Sequence, residues 1–290
     1  MSTSHPAAPR RGPAARRRIA YQQAVAAKQQ RQRRAAWVSI ALVIALFAAL
    51  VIAKAASGHP AARAAATTST ATTAQVVARA TTVPASTFAA IGTGGTAAQA
   101  QSVPGGSTLT VGGKPEVLYL GAEYCPYCAA QRWPLVLALS RFGTFTGLDL
   151  TESSATDVYP STNTFTFLHA TYTSAYLAFT SVELYDRDQQ PLQTPTDAEQ
   201  RLLNGPGQGG IPFIDLGGTV MLRSSGYSPQ ILAGMTWTQI AAALTNTAGP
   251  AAQAIVGTAN RITGRLCDLT HDQPADVCQT PAVRALEATP

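Results

Sequence analysis

Apolar positions are distributed unevenly along the chain, and the unevenness predicts its parts. Residues 35–53 (AAWVSIALVIALFAALVIA) run for 19 positions without a charge. At 1.5 Å per residue a helix of that length spans about 28 Å, close to the roughly 30 Å of a hydrocarbon core. It predicts one transmembrane helix over 35–54, with Trp37 at an interface and Lys54 snorkelling outward. A cleavable signal peptide is the competing reading, although the apolar run is longer than such peptides use. Residues 55–74 are Ala/Thr/Ser-rich, lack large apolar side chains and predict a linker. Beyond them, Val76, Val77, Val83, Phe88 and Ile91 suggest an ordered lead-in, and Gly-Gly and Pro-Gly pairs mark 92–106 as loop.

From Ser107 the pattern alternates between strand and helix signals. Strands are predicted at 108–111, 117–120 and 144–150. Two β-type runs follow at 164–173 and 178–185, and a hairpin at 211–216 and 219–223 turns on Gly217-Gly218. Helical spacing covers 126–142, with Pro134 expected to kink it, and recurs at 197–203, 229–245 and 250–266. The mixture predicts an α/β domain over 75–290 with a long middle region, 149–210.

Charge sharpens the division. Residues 1–34 hold nine Lys and Arg and no acid, whereas from Ala55 onward 11 Lys and Arg face 15 Asp and Glu. The basic tail therefore belongs on the cytoplasmic side and the domain outside. A mildly acidic domain offers no basic patch for nucleic acid. All four cysteines fall in this exported part, where disulfides persist.

The strongest chemical signal is a strand, EVLYLGAEY, followed by Cys125-Pro126-Tyr127-Cys128 and a helix. Free N–H groups at a helix start stabilise a thiolate, and Pro126 at the first helical position loses nothing by lacking an N–H. Cys125 should therefore attack a disulfide and Cys128, deeper in the helix, should resolve the mixed disulfide. Half of a zinc site and an inert disulfide are the other readings of CxxC; no further ligands stand at zinc spacing. Gly209-Gly210-Ile211-Pro212 opens a strand 84 residues after Cys128. A cis Ile211–Pro212 bond there would present a backbone edge to an extended substrate. Tyr124, Tyr127 and Trp133 are candidates for an apolar rim. Glu123 and His169 are weaker candidates for proton transfer. Cys267 and Cys278 flank a polar, turn-prone segment and are expected to form a separate structural disulfide.

These motifs resemble the thioredoxin superfamily. The CPYC inner pair is typical of glutaredoxins, while Gly121-Ala122-Glu123-Tyr124 and Gly-Ile-Pro are more like thioredoxin. The run GAEYCPYCAAQRW…ALSRFGTF resembles, more closely, a family of membrane-anchored bacterial and archaeal proteins known as domain of unknown function 929. The superfamily resemblance implies nucleophile Cys125, resolving Cys128 and cis Pro212. One departure stands out: thioredoxins carry a buried acid six residues before the nucleophile, and here that position is Tyr119.

The expectation is an α/β, thioredoxin-like fold with an enlarged middle insertion, preceded by one transmembrane helix. The protein should be a plasma-membrane, extracytoplasmic thiol–disulfide oxidoreductase with oxidase or isomerase activity favoured over reductase. Its partners should be exported protein thiols and disulfides and a membrane or extracytoplasmic redox protein. Substrate contacts are expected from Tyr124, Pro126, Tyr127 and Ile211. It needs no cofactor beyond the Cys125–Cys128 disulfide, and no metal. A non-catalytic envelope scaffold with a permanently oxidised CPYC is the alternative.

Overall fold

The structure, a computed structural model, describes residues 60–94, 96, 100–103 and 105–287. The basic tail and the apolar segment 35–54 lie outside the described residues; among the described residues no helix is long and apolar enough to cross a membrane. The compact unit is Ser69–Pro290; of the separate Met1–Thr68 unit only the residues from Pro60 are described.

Two helices lead in, α1 (Pro60–Thr81) and α2 (Ala85–Ile91). Composition predicts a linker over 55–74, but α1 is helical from Pro60. Alanine is the strongest helix former, and its abundance outweighs the lack of large side chains. Among its described side chains, α1 buries Val76 and Ala80.

A mixed six-stranded sheet forms the centre. It contains β1 (Gln101–Ser102), β2 (Thr110–Val111), β3 (Lys114–Gly121), β8 (Ala178–Glu183), β9 (Phe213–Leu216) and β10 (Val220–Leu222). β3 is central, parallel to β8 and antiparallel to β9, which turns through Gly217-Gly218 into antiparallel β10. Both faces of β3 are covered, so its apolar run is continuous rather than alternating. Val117 and Tyr119 face one cluster with Ile214 and Leu216; Leu118 and Leu120 face a second with Phe213, Val182 and Met221.

Parallel pairing of β3 with β8 requires a crossover, supplied by α3 (Pro126–Leu139) and a long arm. The arm is a bent hairpin of two ladders. β4 (Gly143–Thr146) pairs with β7 (Thr171–Ser174), and β5 (Asp149–Glu152) with β6 (Asn163–Thr166). The single strand expected at 144–150 is thus two, because Gly147 adopts φ +72° between them; the run 164–173 is broken opposite it by the turn through Phe167–Ala170.

Every residue of α3 except Tyr127 is buried. The helix runs unbroken through Pro134. Proline deprives the carbonyl four residues earlier of its partner; that carbonyl, of Ala130, accepts instead from the Tyr227 hydroxyl at 2.7 Å. The arm lies along the same helix: Thr164 Oγ1 donates to the Ala129 carbonyl at 2.7 Å and Trp133 Nε1 to the Asn163 carbonyl at 2.9 Å.

Beyond β8, α4 (Asp197–Asn204) starts in a reciprocal Thr196/Glu199 capping box and buries Leu203 against the second cluster. The helix expected over 229–245 is a short 3₁₀ turn, Pro229–Leu232, and α5 (Trp237–Ala243), separated near Gly234 (φ +72°). α6 (Pro250–Leu269) packs on α3 and is followed by α7 (Ala275–Cys278) and α8 (Pro281–Glu287). Cys267 near the end of α6 is bonded to Cys278 of α7.

Candidate active site

The cysteine pair sits where β3 ends and α3 begins. Cys125 is the N-cap, with extended backbone (φ −78°, ψ 120°), and its sulfur accepts from the Cys128 amide at 3.2 Å. Pro126 occupies the first helical position. Both thiols are unbonded; Cys125 keeps 6% of its surface exposed and Cys128 none.

Their electrostatics differ accordingly. Hydrogen bonding from the Cys128 thiol lowers the pKa of Cys125; burial opposes it, while the Cys128 amide, the Arg132 cation and the Tyr127 amide add to the lowering. Burial pushes Cys128 well up, and its neighbour Cys125 adds to this, against an opposing pull from Arg132. At neutral pH the more accessible sulfur is thus also the better thiolate former, the combination a nucleophile needs.

Opposite Cys125 stands the start of β9. The Ile211–Pro212 peptide is cis, and the Ile211 carbonyl lies 3.9 Å from Cys125 Sγ. Ala122, Tyr124 and Ile211 pack around the two thiols. A cleft of about 380 Å³ extends from this point, lined among others by Tyr124, Leu184, Tyr185, Pro191, Gln193 and Ile211. The other flank is covered by the tip of the arm. Ser154 N–H donates to the Tyr124 carbonyl at 2.9 Å, and Tyr159 stands edge-on to Tyr127 with ring centroids 5.9 Å apart.

Cys125, Cys128, Tyr124, Tyr127, Ile211 and Pro212 converge on one end of the sheet. Tyr127 is exposed beside the pair, whereas Pro126 is buried in the turn. Trp133 is fully buried against Phe165 and belongs to the core, not to a rim. Glu123 is half-buried, accepting from Thr151 Oγ1 at 3.4 Å. His169 is exposed at the bend of the arm, between the two ladders and away from its tip. Cys267 and Cys278, being bonded to each other, are not ligands for a metal shared with CPYC.

Three groups were not singled out from the sequence. Val158 of the arm tip and Tyr185 of the cleft are, with Tyr127, among the exposed large apolar side chains. They gave no signal, because contact across 30 or more residues has no local pattern. Arg132 and Glu183 form a fully buried ion pair at 2.6 Å. That pair had a signal: Gln131-Arg132 is the polar step in an otherwise apolar helix, AAQRWPLVLAL.

Residues 105–204 match the family model of a domain of unknown function, DUF929. Over that stretch the match agrees with the resemblance read from the sequence. It covers β3, the CPYC turn, α3, the arm and α4, and stops before Pro212 and the Cys267–Cys278 disulfide. No curated protein and no solved structure matches the chain.

Proposed function

We propose that the domain is a thioredoxin-like thiol–disulfide oxidoreductase, held outside the plasma membrane by the 35–54 segment and acting on exported proteins. The observation that carries the reading is the asymmetry of the cysteines: Cys125, partly open at a helix N-terminus with its pKa lowered, beside a fully buried Cys128. The fold reading is supported by the order β8-β3-β9-β10 and by a CxxC helix directly after the central strand, with a proline opening the antiparallel strand next to it. The nine Lys and Arg of the 1–34 tail and the charge-free 35–53 run support the location.

In the oxidase direction, a substrate thiolate attacks Cys125 Sγ of the disulfide. A bond forms between substrate sulfur and Cys125 as the Cys125–Cys128 bond breaks, and the electron pair leaves on Cys128 Sγ. A second substrate thiolate then attacks the substrate sulfur of the mixed disulfide, and Cys125 leaves as thiolate. Two substrate thiols become one disulfide, the protein gains two electrons, and the two thiol protons pass to the cysteines or to water. A disulfide-bearing partner protein restores the starting state by the same exchange. A lowered Cys125 pKa stabilises the reduced form and so makes the disulfide the more oxidising, which favours oxidase or isomerase work over reductase work.

The cleft and the exposed Tyr127, Val158 and Tyr185 give an unfolded segment apolar surface beside the thiol. The test is trapping. Cys128→Ser should accumulate mixed disulfides with envelope proteins, resolved by reductant on non-reducing gels, and Cys125→Ser should not. Equal trapping by both variants, or by neither, would refute the assignment.

A further inference from the structure

Beneath the cysteine pair lies a buried charge for which packing has no use. Arg132 and Glu183 are both fully buried, joined by Nε to Oε1 at 3.0 Å and Nη2 to Oε2 at 2.6 Å. The pair crosses from α3 to the last residue of β8. Such a pair offsets its own desolvation poorly, and apolar residues of similar volume usually do as well or better. Glu183 is otherwise satisfied, accepting from the Phe167 amide at 3.2 Å. Arg132 is not: Nη1 is buried without a hydrogen-bond partner.

The orphaned nitrogen belongs to the side chain four residues after Cys128, on the same face of α3 and one turn deeper. The guanidinium also lies over the Tyr119 ring, 5.7 Å from its centroid. Tyr119 Oη, likewise buried without a partner, fills the space a Cβ on Gly121 would need. The charged or titratable groups facing this floor are Tyr119 from β3, Arg132 and the two thiols from α3, and Glu183 from β8. Burial raises Tyr119 well above its usual range, so it stays a neutral hydroxyl. Burial is the largest influence on Arg132 and opposes its charge, but Glu183, Tyr119 and Cys128 together outweigh it and the guanidinium remains cationic. Arg132 is thus the cation available to a sulfur that must carry negative charge where water does not reach.

We propose that Arg132 is a positioning residue for the exchange reaction, stabilising the negative charge of the reduced pair, on Cys128 Sγ as it leaves the disulfide and on Cys125 Sγ once the proton has passed to Cys128, and so making the disulfide the stronger oxidant. The inference rests on the oxidoreductase reading above. No oxidant or reductant beyond those already named is involved: when the Cys125–Cys128 bond breaks, the electron pair placed on Cys128 Sγ meets a fixed positive charge instead of bare apolar wall. Where a buried acid would act by taking a proton, an arginine, never deprotonated, acts by charge alone.

The test is the equilibrium of the full-length protein with reduced and oxidised glutathione, together with the pH profile of Cys125 alkylation in the reduced state. Removing Arg132 alone strands Glu183, so the informative variant is the double Arg132→Met/Glu183→Met, which leaves no uncompensated charge. It should shift the glutathione equilibrium at least tenfold toward the disulfide and move the alkylation midpoint to higher pH. Arg132→Lys should stay within about threefold of the parent. Glu183→Gln, which keeps the cation, should leave the equilibrium unchanged or shift it toward the dithiol. A folded double variant within twofold of the parent would overturn the proposal. If the double variant does not fold, Glu183→Gln decides, and a shift toward the disulfide overturns it. A parent that does not exchange with glutathione at all would instead refute the oxidoreductase reading.

Discussion

Replacing Tyr227 by Phe removes one oxygen and leaves the ring in place. In the native helix the Ala130 carbonyl has no partner four residues on, because residue 134 is proline; the Tyr227 hydroxyl supplies it at 2.7 Å. Burial raises the Tyr227 pKa well above its usual range, so the hydroxyl is a donor at all working pH values. The substitution strands a carbonyl inside a helix buried on nearly every side, which costs about 1–3 kcal/mol. For a domain of this size, about 2 kcal/mol corresponds to a fall of roughly 4–8 °C in Tm. A double-mutant cycle with Pro134→Ala makes the argument specific, because alanine restores an amide that can bond Ala130. In that background Tyr227→Phe should cost under about 1 kcal/mol, a coupling of about 1 kcal/mol or more. Denaturant unfolding of the four proteins measures it. Equal costs in both backgrounds would refute the claim that Tyr227 makes Pro134 tolerable.

Two further outcomes follow from buried groups away from the thiols. Asp215 is fully buried, and its pKa is raised to about 6 by that burial, against the Gly218 amide it accepts from and with Glu116 nearby. A carboxyl raised in the folded state makes stability fall as pH climbs from about 4 to about 6, by up to about 3 kcal/mol. Asp215→Asn keeps an acceptor for Gly218, so the stability difference between variant and parent should grow across that window and then level off; a flat difference would contradict the burial argument. Replacing both Cys267 and Cys278 by Ser should lower stability by roughly 3 kcal/mol in the chain-entropy account, yet leave thiol exchange measurable at low temperature. Loss of exchange in a folded variant would place that disulfide in the mechanism.

Much of the site was legible because its signals are local. A strand, CPYC and a helix are contiguous, and a proline stationed at a strand start is conspicuous. The hairpin at Gly217-Gly218 and the Cys267–Cys278 pair rest on short separations of the same kind. What stayed hidden depends on contacts distant in sequence. A helix continuous through Pro134 follows only once Tyr227, 93 residues away, is seen to serve the Ala130 carbonyl. The arm reads as two plain strands until Gly147 bends it, and nothing local says that residues 154–159 return to the CPYC turn. Arg132 was visible as a charge in an apolar helix, but its partner Glu183, 51 residues on, was not.

Whether Cys125–Cys128 is a working oxidant is decided by the reduction potential of the couple in the full-length protein, measured by equilibration with glutathione or dithiothreitol and read by alkylation and mass spectrometry. An oxidase or isomerase with a stabilised Cys125 thiolate should give a value above about −200 mV. A value near about −270 mV would reverse the direction of the chemistry, and one below about −300 mV would make the pair a permanent bond and contradict the account.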